Sequence, residues 1–407
     1  MMFDNSPLYY VESNFDGTRY ILYDLAKWKN GLAFKKIDFS DNGGIPVIKI
    51  AELNNGLGST TAYTKGVYDD EFYLEFGDFL FSWSGNPQTS IDIFRFQLKN
   101  GWLNQHIFKV TPNESVIYKE FFFYVMKWLK PNFTDIATNK QTTGLGHVTI
   151  SDLKRLSVVI PDMELQRKIG DFLHSVDRKI ALNTAINENL EQQAQALYRQ
   201  MFVNADDNQS ATIADISLNV TDGVHNTVKD DPDGSYLLLS CKNIKGGSLN
   251  IGSSERHINK ETFDKLRKRT QLAKGDILIS SVGTIGEILM LNTEPTYYEF
   301  QRSVAMIKPD TELVSPAYVY ESLLYKKAEL INAAHGAVQQ CLFISDISEF
   351  PIDIPSKVKL DTFNSAVIPM FEIITANNEE NQRLAALRDT LLPKLMNGEI
   401  DVSAVQI

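Results

Sequence analysis

A chain of 407 residues, 43% hydrophobic and 22% charged, is too long for one ordinary core and reads as a globular protein of two or three domains. Its two cysteines, Cys241 and Cys341, lie far apart in sequence, which argues against a disulfide framework or thiolate zinc site and fits a reducing cytosol. The net charge of -11 weighs against simple polyanion binding, but the acidity sits mostly in residues 204–356, where Lys plus Arg number 14 against 21 Asp plus Glu.

The opening MMFDNSPLYY has no basic region before an apolar run, and EFFFYVMKWL (120–129) is too short to cross a bilayer, so a soluble cytoplasmic protein is expected. Alternating and β-branched runs predict short strands at 45–53, 78–83 and 92–98, followed by a helix over 118–130. Residues 161–203 carry apolar or seam positions at 165, 169, 172, 176, 180, 183, 187, 190, 194, 197 and 201, the spacing of a coiled coil with a stutter. The polar stretch NADDNQSA (204–211) reads as a linker. Strands recur at 236–240 and 276–282, a helix at 315–334, and a second long helical segment closes the chain from 357.

Self-comparison organises these elements. ISDLKRLSVVIP (150–161) aligns without a gap to ISDISEFPIDIP (344–355), an offset of 194. The same offset pairs Ile169 with Phe363, Val176 with Met370, Ile180 with Ile374, Asn183 with Asn377, Asn187 with Asn381, Leu190 with Leu384 and Leu197 with Leu391. Upstream, FGDFLFSWSG (76–85) matches KGDILISSVG (274–283), and PVIKIAELNNG (46–56) matches LLLSCKNIKGG (237–247). A tandem duplication follows. Each helix of about 40 residues would run roughly 60 Å and must bury its stripe; the nearest available partner is its own copy, packed antiparallel, with the asparagines fixing register. Two separate bundles with solvent-facing asparagines remain the alternative.

The stretch IPDMELQRKIGDFLHSVDRKIALNTAINENLEQQAQALYRQMF resembles the central conserved region of type I restriction-modification specificity subunits, and NEENQRLAALRDTLLPKLMNGEIDV is similar to their C-terminal conserved region. NGLAFKKIDF, GDFLFSWSG, DGVHNT and GDILISSVGTIGE resemble elements of that family's target-recognition domains. The resemblance implies an α+β protein: two α/β target-recognition domains in tandem (1–160 and 204–356), separated by two long antiparallel helices (161–203 and 357–407) that form a coiled-coil spacer. It also implies a non-catalytic subunit that reads the halves of a bipartite double-stranded DNA target. The helices would set the gap and dock two adenine-methyltransferase subunits, and a translocase-nuclease subunit would join the full complex. A coiled-coil adaptor for protein partners, or the specificity subunit of another two-subunit restriction enzyme, are the competing readings.

The motifs point away from catalysis. The lone Asn86-Pro87 pair continues into Gln88 rather than a methyltransferase motif, no phosphate-binding G-x-x-x-x-G-K-[ST] loop occurs, and the six histidines have no metal-ligand spacing. No cofactor or metal is expected. GTIG (283–286) suits a tight turn or a nucleic-acid clamp, and KLRKR (265–269) a solvated helix face or a phosphate contact. Base readers need forked hydrogen-bonding ends on loops that reach the major groove. The candidates are Lys35, Lys36, Asn54, Asn55, Ser84 and Asn86 in the first domain, and His225, Asn226, Thr227, Lys242, Asn243, Thr284, Gln301 and Arg302 in the second.

Overall fold

The structure, a computed structural model, describes residues 9–41, 43–141, 144–203, 209–252, 254–336 and 340–402. The chain forms two compact units, one of Met1–Ile180 with Gln382–Ile407, the other of Ala181–Asn381. Among the described residues no helix is long and apolar enough to cross a membrane.

In the first unit an antiparallel sheet runs in the order Ala26–Asn30, Ile107–Pro112, Phe79–Ser82, Asp92–Arg95. A second sheet orders Tyr63–Thr64, Ile45–Ile48, Asn100–Leu103 and Tyr73–Glu75, with Ile45–Ile48 and Asn100–Leu103 parallel. Helices Lys119–Trp128 and Lys130–Asn139 follow. Seven consecutive residues of the first, Glu120–Met126, are buried, because this helix lies within the core rather than on its surface.

The second unit repeats the plan of the first sheet, while its second sheet has three strands rather than four. Its antiparallel sheet runs Ser217–Asp222, Val304–Pro309, Ile277–Ser280, Ile288–Met290, and in its second sheet Tyr236–Leu239 pairs parallel with Tyr298–Phe300. Helices Pro316–Tyr325 and Lys327–Asn332 take the places of the first unit's pair. Of the expected linker, residues 204–208 lie outside the described residues. Residues 209–211 are not linker: Gln209–Thr212 is a strand that pairs antiparallel with Pro351–Ile354, as Thr18–Ile21 pairs with Leu156–Ile160.

The two long helices span Met163–Phe202 and Lys357–Met396. The Asp162 carboxylate caps the first by accepting from the N–H groups of Glu164 (2.9 Å) and Leu165 (3.0 Å). In the first unit Ile169, Leu173 and Val176 are buried, Ile180 and Leu384 are half-buried, and Leu391 packs against the core cluster. Arg388 Nη1 donates to Asp177 Oδ1 at 2.7 Å, which sets the helices antiparallel there.

In the second unit Leu190, Leu197, Phe363, Met370 and Ile374 join its core cluster. Two of the four asparagines are interior, Asn183 at 1% and Asn187 at 6% exposed, and Asn377 and Asn381 are half-buried. Asn183 Nδ2 donates to Asn381 Oδ1 (2.9 Å) and Glu380 Oε2 (2.7 Å). Asn377 Nδ2 donates to Asn187 Oδ1 (2.8 Å), and Asn187 Nδ2 donates to Asn378 Oδ1 (2.9 Å). The helices are therefore antiparallel partners here too, and the solvent-facing alternative for the asparagines is excluded. Repeat equivalence relates Asn187 to Asn381, but across the seam it faces Asn377.

Candidate nucleic-acid interface

In each unit the backbone gathers several loops at corresponding sheet ends. In the first, strand Ala26–Asn30 runs into Gly31, where a Cβ would lie 2.2 Å from the carbonyl oxygen of Asn104, so only glycine permits the approach. Leu32 then bridges Asn104 in parallel, Gln105 N–H donates to Leu32 O (2.9 Å), and Asn104 N–H donates to Ile48 O (3.2 Å). Trp83 joins this cluster: its N–H donates to His106 O (3.3 Å), its indole Nε1 donates to Asn30 Oδ1 (3.0 Å), and its ring lies 5.6 Å from that of His106.

The second unit builds the same junction. Gly223, with no room for a Cβ against Gln301 O (2.2 Å), precedes Val224, which bridges Gln301 in parallel. Arg302 N–H donates to Val224 O (3.0 Å) and Gln301 N–H to Leu239 O (2.8 Å). Ser281 N–H donates to Ser303 O (3.0 Å), and Cys241 N–H donates to Ser303 Oγ (3.1 Å). The GTIG turn closes against these loops, with Gly283 and Gly286 at φ of 78° and 81°, values that make it a tight turn between strands.

The expected site residues separate on this frame. His225, Asn226, Thr227, Lys242, Thr284, Gln301 and Arg302 come together in the second unit's loops, all exposed except half-buried Gln301. His225 Nε2 lies 2.6 Å from Asp222 Oδ2, and Lys242 Nζ forms an ion pair with Glu255 Oε2 at 3.0 Å. Burial pushes the Glu255 carboxyl up, but hydrogen bonds from Lys242, Asn243 and the Gly252 backbone outweigh it and hold the group below the usual range. Asn243 is a correction: it is 1% exposed, accepting from Ser240 N–H (2.9 Å) and donating to Asn250 O (2.8 Å). Its amide is consumed in a capping box, leaving nothing for a base.

In the first unit Lys35 and Lys36 are exposed in the turn after Leu32, and Ser84 sits on the short strand paired with His147. Asn86 is exposed, yet its Oδ1 accepts from Gln88 N–H (2.9 Å) and Thr89 N–H (3.3 Å) and so holds its own turn. Asn54 and Asn55 are exposed at the far end of helix Ile50–Asn55.

Sequence reasoning missed Gln105, His106, Asn30 and Trp83. The signal was the repeat itself: Asn104-Gln105-His106 occupies the place of Gln301-Arg302-Ser303. KLRKR proves divided. Lys265 and Lys268 are exposed, Arg267 is bound to buried Glu299 and to Tyr298 O (3.0 Å), and Arg269 Nη2 donates to Asp222 O (2.8 Å) beside His225. Among the described residues no group of three or more His, Cys, Asp or Glu is placed to hold a metal.

Two units built on antiparallel sheets of one strand order, each presenting the same loop junction, joined to long helices that pair antiparallel, define a duplicated α+β protein with twin loop surfaces. The chain belongs to the family described as the type I restriction modification DNA specificity domain, whose model matches residues 18–192 and again 234–385. It is 26% identical over 374 residues to the type I restriction enzyme HindI specificity subunit of Haemophilus influenzae, covering 72% of this chain and 79% of that protein. It is 23% identical over 449 residues to the EcoBI specificity subunit of Escherichia coli, covering 98% and 91%. A crystal structure of the S subunit of a type I restriction-modification system from M. genitalium matches with a TM-score of 0.59 at 16% identity, over 96% of this chain and 99% of that one, a likeness of fold.

Proposed function

We propose that this chain is the non-catalytic DNA-reading subunit of a type I restriction-modification complex, in which each unit's loop junction reads one half of a bipartite double-stranded target. The observation that carries this reading is the recurrence of one glycine-dependent loop junction in both units (Gly31 against Asn104, Gly223 against Gln301), each among exposed polar side chains. A binder of a split sequence needs two such surfaces, and a catalyst needs only one.

The long helices set the gap between half-sites and dock two adenine-methyltransferase subunits, with a translocase-nuclease subunit in the complete assembly. The acidic total is consistent with this, because in such an assembly the partners share the phosphate contacts and this chain supplies the reading surfaces. The domains that do the reading correspond to residues 1–160 and 204–356, and the protein works in the cytoplasm.

Mapping adenine methylation in a host with and without this chain tests the proposal. Its presence should add one split motif with a fixed gap, and binding by the purified complex should weaken steeply with salt. Methylation of all adenine contexts alike, or no change in the methylome, would refute it.

A further inference from the structure

We infer that the two units read their half-sites with different side chains at one equivalent position: Gln105 contacts an adenine in the first half-site and Arg302 a guanine in the second. The inference rests on the proposed DNA-reading function and goes beyond it to the bases read.

The equivalence is set by backbone geometry. Gln105 N–H is held by Leu32 O at 2.9 Å and Arg302 N–H by Val224 O at 3.0 Å. The preceding residues, Asn104 and Gln301, donate to Ile48 O and Leu239 O, and both bridge the neighbouring strand in parallel. The residues on the other side, His106 and Ser303, accept from Trp83 and Ser281 N–H, and these in turn accept from Val148 (2.8 Å) and Leu342 (2.9 Å). Each candidate reader thus projects from a backbone pinned on both sides, the preorganisation a base contact needs.

Availability singles out the arginine. Four arginines lie between residues 204 and 356. Arg256 donates to Val228 O (3.2 Å), Arg267 is bound to Glu299, and Arg269 donates to Asp222 O (2.8 Å). Arg302 is exposed, and its guanidinium makes no hydrogen bond or ion pair among the described residues. Residues 1–160 hold three arginines, each engaged: Arg19 with Ser157, Arg95 with Glu120, and Arg155 over the ring of Tyr9. The loops of that domain therefore present no arginine fork for a guanine and offer a carboxamide instead. Gln105 Nε2 spends one hydrogen on His106 Nε2 (3.2 Å), which leaves its second N–H and its carbonyl for an adenine edge. An arginine fork matches guanine O6 and N7, and a carboxamide matches adenine N6 and N7.

Methylation mapping of hosts expressing the full chain with its methyltransferase partner tests the assignment, using wild type, R302Q, R302K and Q105R. R302Q should shift one position of one half-site from guanine towards adenine, changing relative methylation about 10- to 100-fold and leaving the other half-site intact. R302K keeps the charge without the planar fork and should lose the same guanine preference. Q105R should change one position of the opposite half-site. Uniform loss over all targets in R302Q would make Arg302 a phosphate contact and overturn the inference, as would an unaltered motif or a guanine preference retained in R302K. A wild-type chain that adds no split motif would overturn the proposed function, and the inference with it.

Discussion

Asn187 is the residue whose removal tests the helix seam most sharply. It is 6% exposed, and its amide accepts from Asn377 (2.8 Å) and donates to Asn378 Oδ1 (2.9 Å), with a longer contact to Ile374 O (3.4 Å). N187A deletes two good hydrogen bonds, each worth about 0.5–1.5 kcal/mol, and regains about 0.5 kcal/mol of helix propensity, for a net loss of ~0.5–2.5 kcal/mol. N377A, at a half-buried position with one of those bonds, should cost less. The double variant should fall short of the sum by about 1 kcal/mol, because the shared bond is lost only once. N187L/N377L replaces both partners with apolar groups and should match or exceed wild-type stability while loosening register. Hydrogen exchange of the amides around residue 187 gives the local opening free energies. Crosslinking yield of T184C/N381C, whose parent side chains lie 3.5 Å apart, should drop several-fold in the N187L/N377L background. Additive single-variant costs, or an unchanged crosslinking yield, would refute the claim that this pair couples the helices.

Burial, and then the neighbouring Glu191, push the Glu321 carboxyl up to about 8 against the opposing Arg199, and its Oε2 has no hydrogen-bond partner. The native state keeps a proton that the unfolded chain releases, so this stability is full below about pH 4.5 and is lost as pH rises through 8, roughly 3–5 kcal/mol in all. Thermal melts from pH 5 to 9 should show E321Q nearly equal to wild type at the acid end and clearly more stable at the alkaline end; parallel curves would count against it. N243A should lower stability by about 1–2 kcal/mol through the lost cap yet leave the recognised sequence unchanged, as methylation mapping would show. G31A and G223A should each force apart one loop junction, so each should impair reading of a different half-site; loss of the same half-site by both would contradict the twin arrangement.

Much of this fold was legible because duplication supplies an internal control. The offset that aligned Asn183 with Asn377 also aligns Val148 with Leu342, two residues that make the same strand-end hydrogen bond in their units. Helix Lys119–Trp128 was visible as an apolar run, and the long helices as seam spacing. The loop surface was less legible. Asn243 and Lys242 are adjacent polar residues in one turn, yet one is enclosed by its own cap and the other exposed, a difference decided by the tertiary path of residues 250–255 rather than by local pattern. Gln105 carried no local signal, only its place in the repeat: its importance comes from Leu32 and Ile48, more than 50 residues earlier, which pin it and its neighbour in place.

The pairs that recur and the pairs that differ divide along a physical line. Residues that fix backbone recur in kind: Gly31 with Gly223, the capping carboxylate of Asp152 (from Thr149 N–H, 2.8 Å) with that of Asp346 (from Phe343 N–H, 2.8 Å), and the cap of Glu52 with that of Asn243. Side chains that leave those fixed points differ: Gln105 against Arg302, Trp83 against Ser281, and the nitrogen group on the capping aspartate, Lys140 at 2.5 Å in one unit and His335 at 3.2 Å in the other. Hydrogen bonds from Lys140 and Thr149 overcome burial to hold the Asp152 carboxyl below its ordinary range, whereas an imidazole is a cation only when protonated. A junction whose backbone is held by glycine approach and capping tolerates exchange of a side chain as exposed as that of Arg302, since its replacement costs little folding free energy. Two copies of one scaffold can therefore diverge in what they contact without diverging in shape, which is the property a reader of two unlike half-sites requires.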